Sequence, residues 1–161
     1  GMRIGIATAK ALSLSLNIPA IGVSTFDAVF RTFRNQVPQS PENMICILLE
    51  TKRKDFYCRF YKPDGSAKDE GESLQAQQII KTTDDLDIIF VGDAVNRIKE
   101  ETGLAYLSQF EIELSDPEVV AVSGLADFRL NEENGRLKPF YIRPPDVTMP
   151  KQAKRFFSGL S

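Results

Sequence analysis

Apolar positions along the chain switch several times between helical spacing and strand-like runs, and the switches mark out the elements. From Arg3 to Asn17 alanine and leucine dominate and no proline occurs, which predicts a helix that Asn17 and Pro19 close. Ala20 to Val23 reads as a short buried strand. Ser24 or Thr25 can cap a second helix running to about Arg34, with Phe26, Val29, Phe30 and Phe33 on one face. The segment from Asn35 to Asn43 holds two prolines and is expected to be a loop. Met44 to Glu50 and Asp55 to Tyr61 are β-rich runs joined by Thr51 to Lys54, an antiparallel hairpin that ends at Pro63-Asp64-Gly65.

Beyond the polar stretch Ser66 to Glu72, Ser73 is placed to cap a helix through about Lys81, and Leu86 to Val91 predicts another buried strand. Gly92-Asp93 turns into a helix from Ala94 to Glu101. Ser115-Asp116-Pro117 is a helix start, with the helix reaching about Leu130, and Asn131 to Arg136 is a polar loop. Lys138 to Arg143 gives a last short strand before Pro144-Pro145, and the tail from Thr148 has no periodicity. The order of elements predicts one α/β layer domain with the strands near Ala20, Met44, Asp55, Leu86 and Phe140 in a single mixed sheet flanked by helices.

The first helix departs from the usual surface pattern. On a wheel at about 100° per residue, Ile4, Ala7, Ala11 and Leu14 form one apolar stripe and Gly5, Ala9, Leu12 and Leu16 a second. Thr8 and Ser15 lie along one seam between them, and Lys10, Ser13 and Asn17, with Ile6 among them, along the other. An ordinary surface helix has a single apolar face, so this one is expected to be covered on two sides. Such a helix is either central to its own domain or a partner-binding element.

Composition narrows the chemistry. With 161 residues, 42% of them apolar and 26% charged, the chain falls in the range of one globular domain with a single core. Its 20 basic and 22 acidic residues give a net charge of -2, which offers no electrostatic reason for the chain alone to hold a polyanion. Histidine is absent, which excludes any His-dependent triad or zinc-hydrolase motif. Cys46 and Cys58 lie in apolar strand runs, where a free thiol packs as a small hydrophobe. That usage, with apolar runs shorter than the ~18 residues that span a bilayer, leads us to expect a cytoplasmic protein without membrane attachment.

Candidate sites are few. Gly92-Asp93 is a single-glycine turn without a Walker lysine, a weak candidate for a nucleotide contact against the simpler reading of a strand-to-helix connection. The acids Glu50, Asp55, Asp87 and Asp93 are scattered rather than grouped, where a two-metal site needs carboxylates converging on ions roughly 4 Å apart. No metal and no cofactor are expected. Thr51-Lys52-Arg53-Lys54, with Arg59 and the neighbouring Tyr57 and Tyr61, makes a local basic cluster, either a share of a tRNA surface or solvated hairpin charges. Arg143 before Pro144-Pro145 reads as structural.

The stretch GMRIGIATAKALSLSLNIPAIGVST (Gly1 to Thr25) resembles the motif F-T-G-[LVM]-R-I-G-[IL]-A-x-A-[KQ]-[GA]-L-A-L-A-x-x-[IL]-P-x-[IV]-G-V-S-[ST] of the TsaB (YeaZ) family. ILLETKRKDFY (Ile47 to Tyr57) is similar to the family's A-x-I-D-A-R-x-G-E-V-Y, and FVGDA (Phe90 to Ala94) and PFYIRPPDV (Pro139 to Val147) follow in order. Departures fall in the hairpin, where the family's aspartate, first arginine and glycine correspond to Glu50, Lys52 and Lys54. The resemblance implies an actin-like, RNase H-like fold in one domain, 1–161. Residues 1–18 would be an interface helix belonging to a first lobe that is otherwise missing, 19–147 a second lobe and 148–161 a tail. It also implies a non-catalytic scaffold subunit of tRNA N6-threonylcarbamoyladenosine biosynthesis. Such a subunit pairs with a TsaD-like paralogue alongside a TsaE-like ATPase, meets tRNA only within the complex, and forms a homodimer when the paralogue is absent. Its interface is expected at Gly5, Ala9, Leu12 and Leu16. The alternative is a glycoprotease-like hydrolase or a nucleotide-binding actin-like enzyme.

Overall fold

The structure, a computed structural model, describes residues 1–37, 42–83, 88–103, 109–111, 124–125, 137 and 139–143. Its core is a mixed sheet of five strands: β1 (Met44–Glu50), β2 (Asp55–Tyr61), β3 (Glu72–Gln75), β4 (Ile88–Val91) and β5 (Gln109–Phe110), in the spatial order β3-β2-β1-β4-β5. The β1–β2 hairpin is antiparallel, with Leu48 opposite Cys58, and β3 adds antiparallel to β2. β4 runs parallel to β1, with Cys46 opposite Phe90, and β5 is parallel to β4.

β1 sits in the middle and is buried on both faces, so its apolar run MICILL is continuous rather than alternating. Cys46 and Leu48 join Phe56, Cys58, Phe60 and Phe90 in one core cluster, closed by Ala76 and Ile79 of α3 (Ala76–Thr83) and Val95 and Ile98 of α4 (Val95–Thr102). Ile45, Ile47 and Leu49 join Tyr61 and Val91 on the opposite face, closed by Phe26, Val29, Phe30 and Phe33 of α2 (Thr25–Gln36). The Phe30 ring stacks on Tyr61 at 4.1 Å between centroids. The α/β layer arrangement expected from the element order is therefore present, with α2 on one face and α3 and α4 on the other.

Of the five strands expected in the sheet, Met44, Asp55 and the run reaching Val91 supply β1, β2 and β4; the beginning of that last run, 84–87, lies outside the described residues. Ala20 to Val23 forms no strand. It is an irregular connector of mostly half-buried side chains in which Gly22 lies 3.8 Å, by its Cβ position, from Leu137, so its apolarity reports packing and not pairing. Pro139–Arg143 is also irregular, and the prolines at both ends of that run in the sequence remove ladder donors. Conversely, Ser73 lies within β3 instead of capping a helix. Pairing with β2 takes that stretch, and α3 begins at Ala76, where the Gln78 side chain reaches back to accept the Gln75 N–H at 2.9 Å. The expected helix from Ser115 to Leu130 is described only at 124–125, which are helical; the polar loop 131–136 and the tail from Thr148 lie outside the described residues.

Gly92 follows β4 with φ of 138°, and a Cβ there would stand 2.0 Å from the Leu48 carbonyl oxygen. β4 can pass into α4 beside β1 only through a residue without a side chain. Gly92→Ala is expected to lower stability by about 2 kcal/mol or more, measured by urea unfolding, since both the backbone conformation and the contact with β1 must give way. Burial pushes the Cys46 thiol well up, and burial with the Asp69 and Glu72 carboxylates pushes Cys58 up to about 12. Both are expected to resist a thiol reagent in the native protein at pH about 8 and to react fully in denaturant.

Candidate interaction helix and the adjoining cleft

α1 (Met2–Leu16) ends at Asn17, whose left-handed φ of 51° turns the chain while its N–H bonds Ser13 O. None of its residues is buried. Ile4 is 73% exposed and Leu14 83%, against 53% for Leu12 and 62% for Leu16. Gly5 is also open to solvent, whereas Ala9 is half-buried, with Ile6 and Ser13, on the side toward the rest of the chain. Both apolar stripes read from the sequence are thus largely uncovered. The helix carries Arg3 and Lys10 and no acidic residue.

Among the described residues, the polar tie between α1 and the body is Arg3, whose Nε donates to the Tyr141 hydroxyl at 2.7 Å with the guanidinium 5.5 Å from that ring's centroid. Met2 and Ile6 meanwhile border a cleft of about 710 Å³ shared with Asp27, Tyr57, Arg59 and the Pro139–Arg143 segment. Two of its charged groups, Asp27 and Arg59, are matched to one another; Arg143 pairs with Asp55, and Glu70 also lines it. Asp27 accepts from the Tyr61 hydroxyl at 2.6 Å and from Arg59 Nη1 at 3.2 Å, and Arg59 Nε donates to Asp69 O at 2.9 Å. Burial and the Asp27 carboxylate push the Tyr61 hydroxyl up, so it remains a donor. The cleft offers aromatic and aliphatic walls with few uncommitted charges.

The β1–β2 connection is held by side chains the sequence did not single out as a group. Arg97 of α4 donates to Asp55 O at 2.9 Å and Arg53 O at 2.5 Å, lies 3.8 Å over the Phe56 ring and meets Glu101 at 3.5 Å. Its Nε is 2.9 Å from Glu50 Oε2, a close ion pair in which the N–H is not aimed at the oxygen. The i,i+4 spacing of Arg97 and Glu101 was the one available sequence signal. Glu50 also accepts from Lys52 N at 2.6 Å, where Lys52 has a left-handed φ of 57°. Gly92-Asp93 belongs to the same joint: Asp93 Oδ1 accepts from Glu50 N at 2.9 Å, and burial raises its pKa despite that bond. The glycine's tight approach to Leu48 accounts for the residue without a ligand. Lys52, Arg53 and Lys54 are exposed, but Arg59 is turned to Asp27, so the expected basic cluster does not include it.

Asp55, 5% exposed, takes Ser73 Oγ and the Arg143 guanidinium, which ties the Pro139–Arg143 segment to the hairpin. Ile142 beside it packs on the α2-side core. The structural role expected of Arg143 is this ion pair.

A family model described as TsaD, tRNA N6-adenosine threonylcarbamoyltransferase, matches residues 1–128. The chain belongs to the TsaD family. Its fold is that of YeaZ: a solved structure of a protein described as similar to the peptidase YeaZ from Pseudomonas aeruginosa superposes with a TM-score of 0.66 at 16% identity, over 88% of this chain and 67% of that one. A second, YeaZ from Pseudomonas aeruginosa, gives 0.63 at 16% identity, over 86% of this chain and 66% of that one. The chain thus spans about two thirds of the length of these structures. Comparison with the curated proteins gives no match. The expected recognition and actin-like fold class stand on these findings.

The chain has no histidine, and among the described residues no group of three or more Cys, Asp or Glu side chains is placed to hold a metal ion. Asp87 lies outside the described residues. Among the described residues no helix is long and apolar enough to cross a membrane.

Burial alone would raise the Asp55 pKa, but the hydrogen bond from Ser73, a backbone bond and the Arg143 charge hold it below the usual carboxylate range. A depressed carboxylate contributes stability that is complete above its unfolded value of about 4 and is lost as pH falls through the lower folded value. Arg143→Ala is expected to cost about 1–3 kcal/mol at neutral pH. Its difference from the parent should shrink at pH values low enough to protonate Asp55, as read from urea midpoints across the pH range.

Proposed function

We propose that this chain is a non-catalytic scaffold subunit of tRNA N6-threonylcarbamoyladenosine synthesis that holds a TsaD-like catalytic paralogue through α1. The observation that carries the reading is a helix of 15 residues with aliphatic side chains on nearly every side and none of them buried. Exposed apolar surface of that continuity marks a protein interface. The TsaB-like motifs and the YeaZ-like fold support the family role, and the absence of histidine from the chain supports a subunit that leaves the chemistry to its partner.

In this reading α1 packs with the first lobe of a two-lobed actin-like molecule, and 19–147 form the second lobe. Gly5, Leu12 and Leu16 of the second stripe contribute to the buried surface, and Ala9 lies at its edge. Two copies pair through α1 when the paralogue is absent, a TsaE-like ATPase joins the assembly, and tRNA is met only there, in the cytoplasm. No cofactor of its own is required. The alternative, a hydrolase or a nucleotide-binding enzyme, would draw on the 710 Å³ cleft, but Asp27, Arg59 and Arg143 there are already paired.

The test is a titration of the chain with the TsaD-like subunit of the same organism. A stoichiometric complex is expected from the parent, with no threonylcarbamoyl transfer and no peptide cleavage by the chain alone. The double variant Ala11→Arg, Leu12→Arg places a charge on each stripe without touching a buried residue and is expected to abolish the complex and any homodimer seen by sedimentation. Undiminished binding by that variant, with an unchanged circular dichroism spectrum, would remove α1 as the interface.

A further inference from the structure

The β1–β2 turn projects three consecutive cations, Lys52, Arg53 and Lys54, all exposed. Its backbone is held from within. Glu50 accepts the Lys52 N–H at 2.6 Å, and the Thr51 hydroxyl accepts the Arg53 N–H at 3.1 Å while donating to Asp55 O at 2.5 Å. Arg97 fixes the Arg53 carbonyl from α4. The carboxylates around the turn face this same joint: Glu50 and Glu101 meet Arg97, Asp93 accepts the Glu50 N–H, and Asp55 pairs with Arg143. Among the described residues neither the Lys52 nor the Lys54 ammonium has a carboxylate within ion-pair distance. The large apolar side chains exposed among the described residues lie elsewhere, in α1 and at Ile18, Leu125, Phe140 and Tyr141.

We propose that this turn is a phosphate contact for RNA, in which the Lys52 and Lys54 ammonium groups bind the sugar–phosphate backbone of the tRNA without reading its bases. The identity of the RNA rests on the function proposed above; the place on this chain that meets it, and the chemistry of the contact, are added here. The surroundings of the turn select the occupant. A protein partner needs an apolar centre inside its polar rim, and no large apolar side chain is exposed in β1, β2 or their turn. A phosphate backbone needs only cations, and lysine meets it as a point charge that carries no sequence information. Because the turn is already held by Glu50, Thr51 and Arg97, little backbone freedom is lost when it docks. Two lysines on a chain of net charge -2 hold RNA weakly alone, so the contact counts chiefly when a partner subunit keeps the same RNA close by.

The experiment measures tRNA affinity by fluorescence anisotropy for the complex of the full chain with the TsaD-like subunit of the same organism, across a salt series. Two double variants at exposed positions are compared, Lys52→Gln with Lys54→Gln in the turn and Lys62→Gln with Lys81→Gln outside it. The turn variant is expected to bind tRNA about tenfold more weakly and to lower the slope of log affinity against log salt by about 2, equally for two tRNAs of unrelated sequence. The second variant, which removes the same charge, is expected to stay within about twofold of the parent. Unchanged affinity and slope in the turn variant, or an equal loss in both variants, overturns the proposal. So does a loss confined to one of the two tRNAs. A turn variant that keeps its tRNA affinity but binds the TsaD-like subunit or the TsaE-like ATPase less tightly also overturns it, in favour of an acidic protein surface. If the parent forms no complex, the proposed function falls, and the turn is then judged on the chain alone at about 0.02 M salt, where screening is weakest. RNA binding that the turn variant loses sustains the contact; no binding by the parent, or equal binding by both, overturns it.

Discussion

Everything in the described structure depends on β1 being covered on both faces and both edges. A strand so placed must satisfy its backbone through β2 on one side and β4 on the other, and its side chains are apolar from Met44 to Leu49, the charged Glu50 standing at its end. That constraint explains why an antiparallel hairpin and a parallel crossover share one strand, and why helices stand on opposite faces of the sheet. It also reaches beyond the strand. Gly92 is a glycine because the turn after β4 comes against the Leu48 carbonyl, and Asp93 is placed by the same turn to receive the Glu50 amide.

α1 stands outside this economy of burial. Its large aliphatic side chains would each gain about 1.5–3 kcal/mol on full burial, and the body of the domain provides cover for Ile6, Ala9 and Ser13 only in part. Association must first offset a loss of translational and rotational freedom of about 4–15 kcal/mol, so one or two residues would not hold a partner, whereas stripes on two sides of a helix could. The contrast with α2 is instructive. That helix concentrates Phe26, Val29, Phe30 and Phe33 on one face, buries all four, and leaves Asp27 at the cleft to bind Arg59 and Tyr61.

The sequence made the helices and the central strands legible because their signals are local. MICILL reads as a strand from its β-rich apolar run, and the two apolar stripes of α1 were visible on a wheel before any neighbour was known. What it left out depends on pairing at a distance. β3 was hidden because ESLQ carries a helix-capping serine and no apolar run; its strand character comes from the edge of β2, not from its own side chains. Ala20 to Val23 and the Phe140 run failed in the opposite direction, since apolarity was present where no ladder partner existed. The Arg97 clamp and the Asp55–Arg143 pair were out of reach because their members are 42 and 88 residues apart.

The hairpin shows how a departure from a family motif can be absorbed. Where the TsaB-like pattern has aspartate, arginine and glycine, this chain has Glu50, Lys52 and Lys54, and the first two enter a structural joint. Glu50 spans the turn, accepting the Lys52 amide at one oxygen and meeting Arg97 at the other. Its longer side chain can reach both groups. Arg97 in turn caps carbonyls of the loop and lies on Phe56, which belongs to the core. A carboxylate held between a backbone amide and a guanidinium has little capacity left to bind a metal or move a proton. The joint therefore stiffens the β1–β2 turn against α4, whereas the large exposed aliphatic side chains of α1 lie outside it.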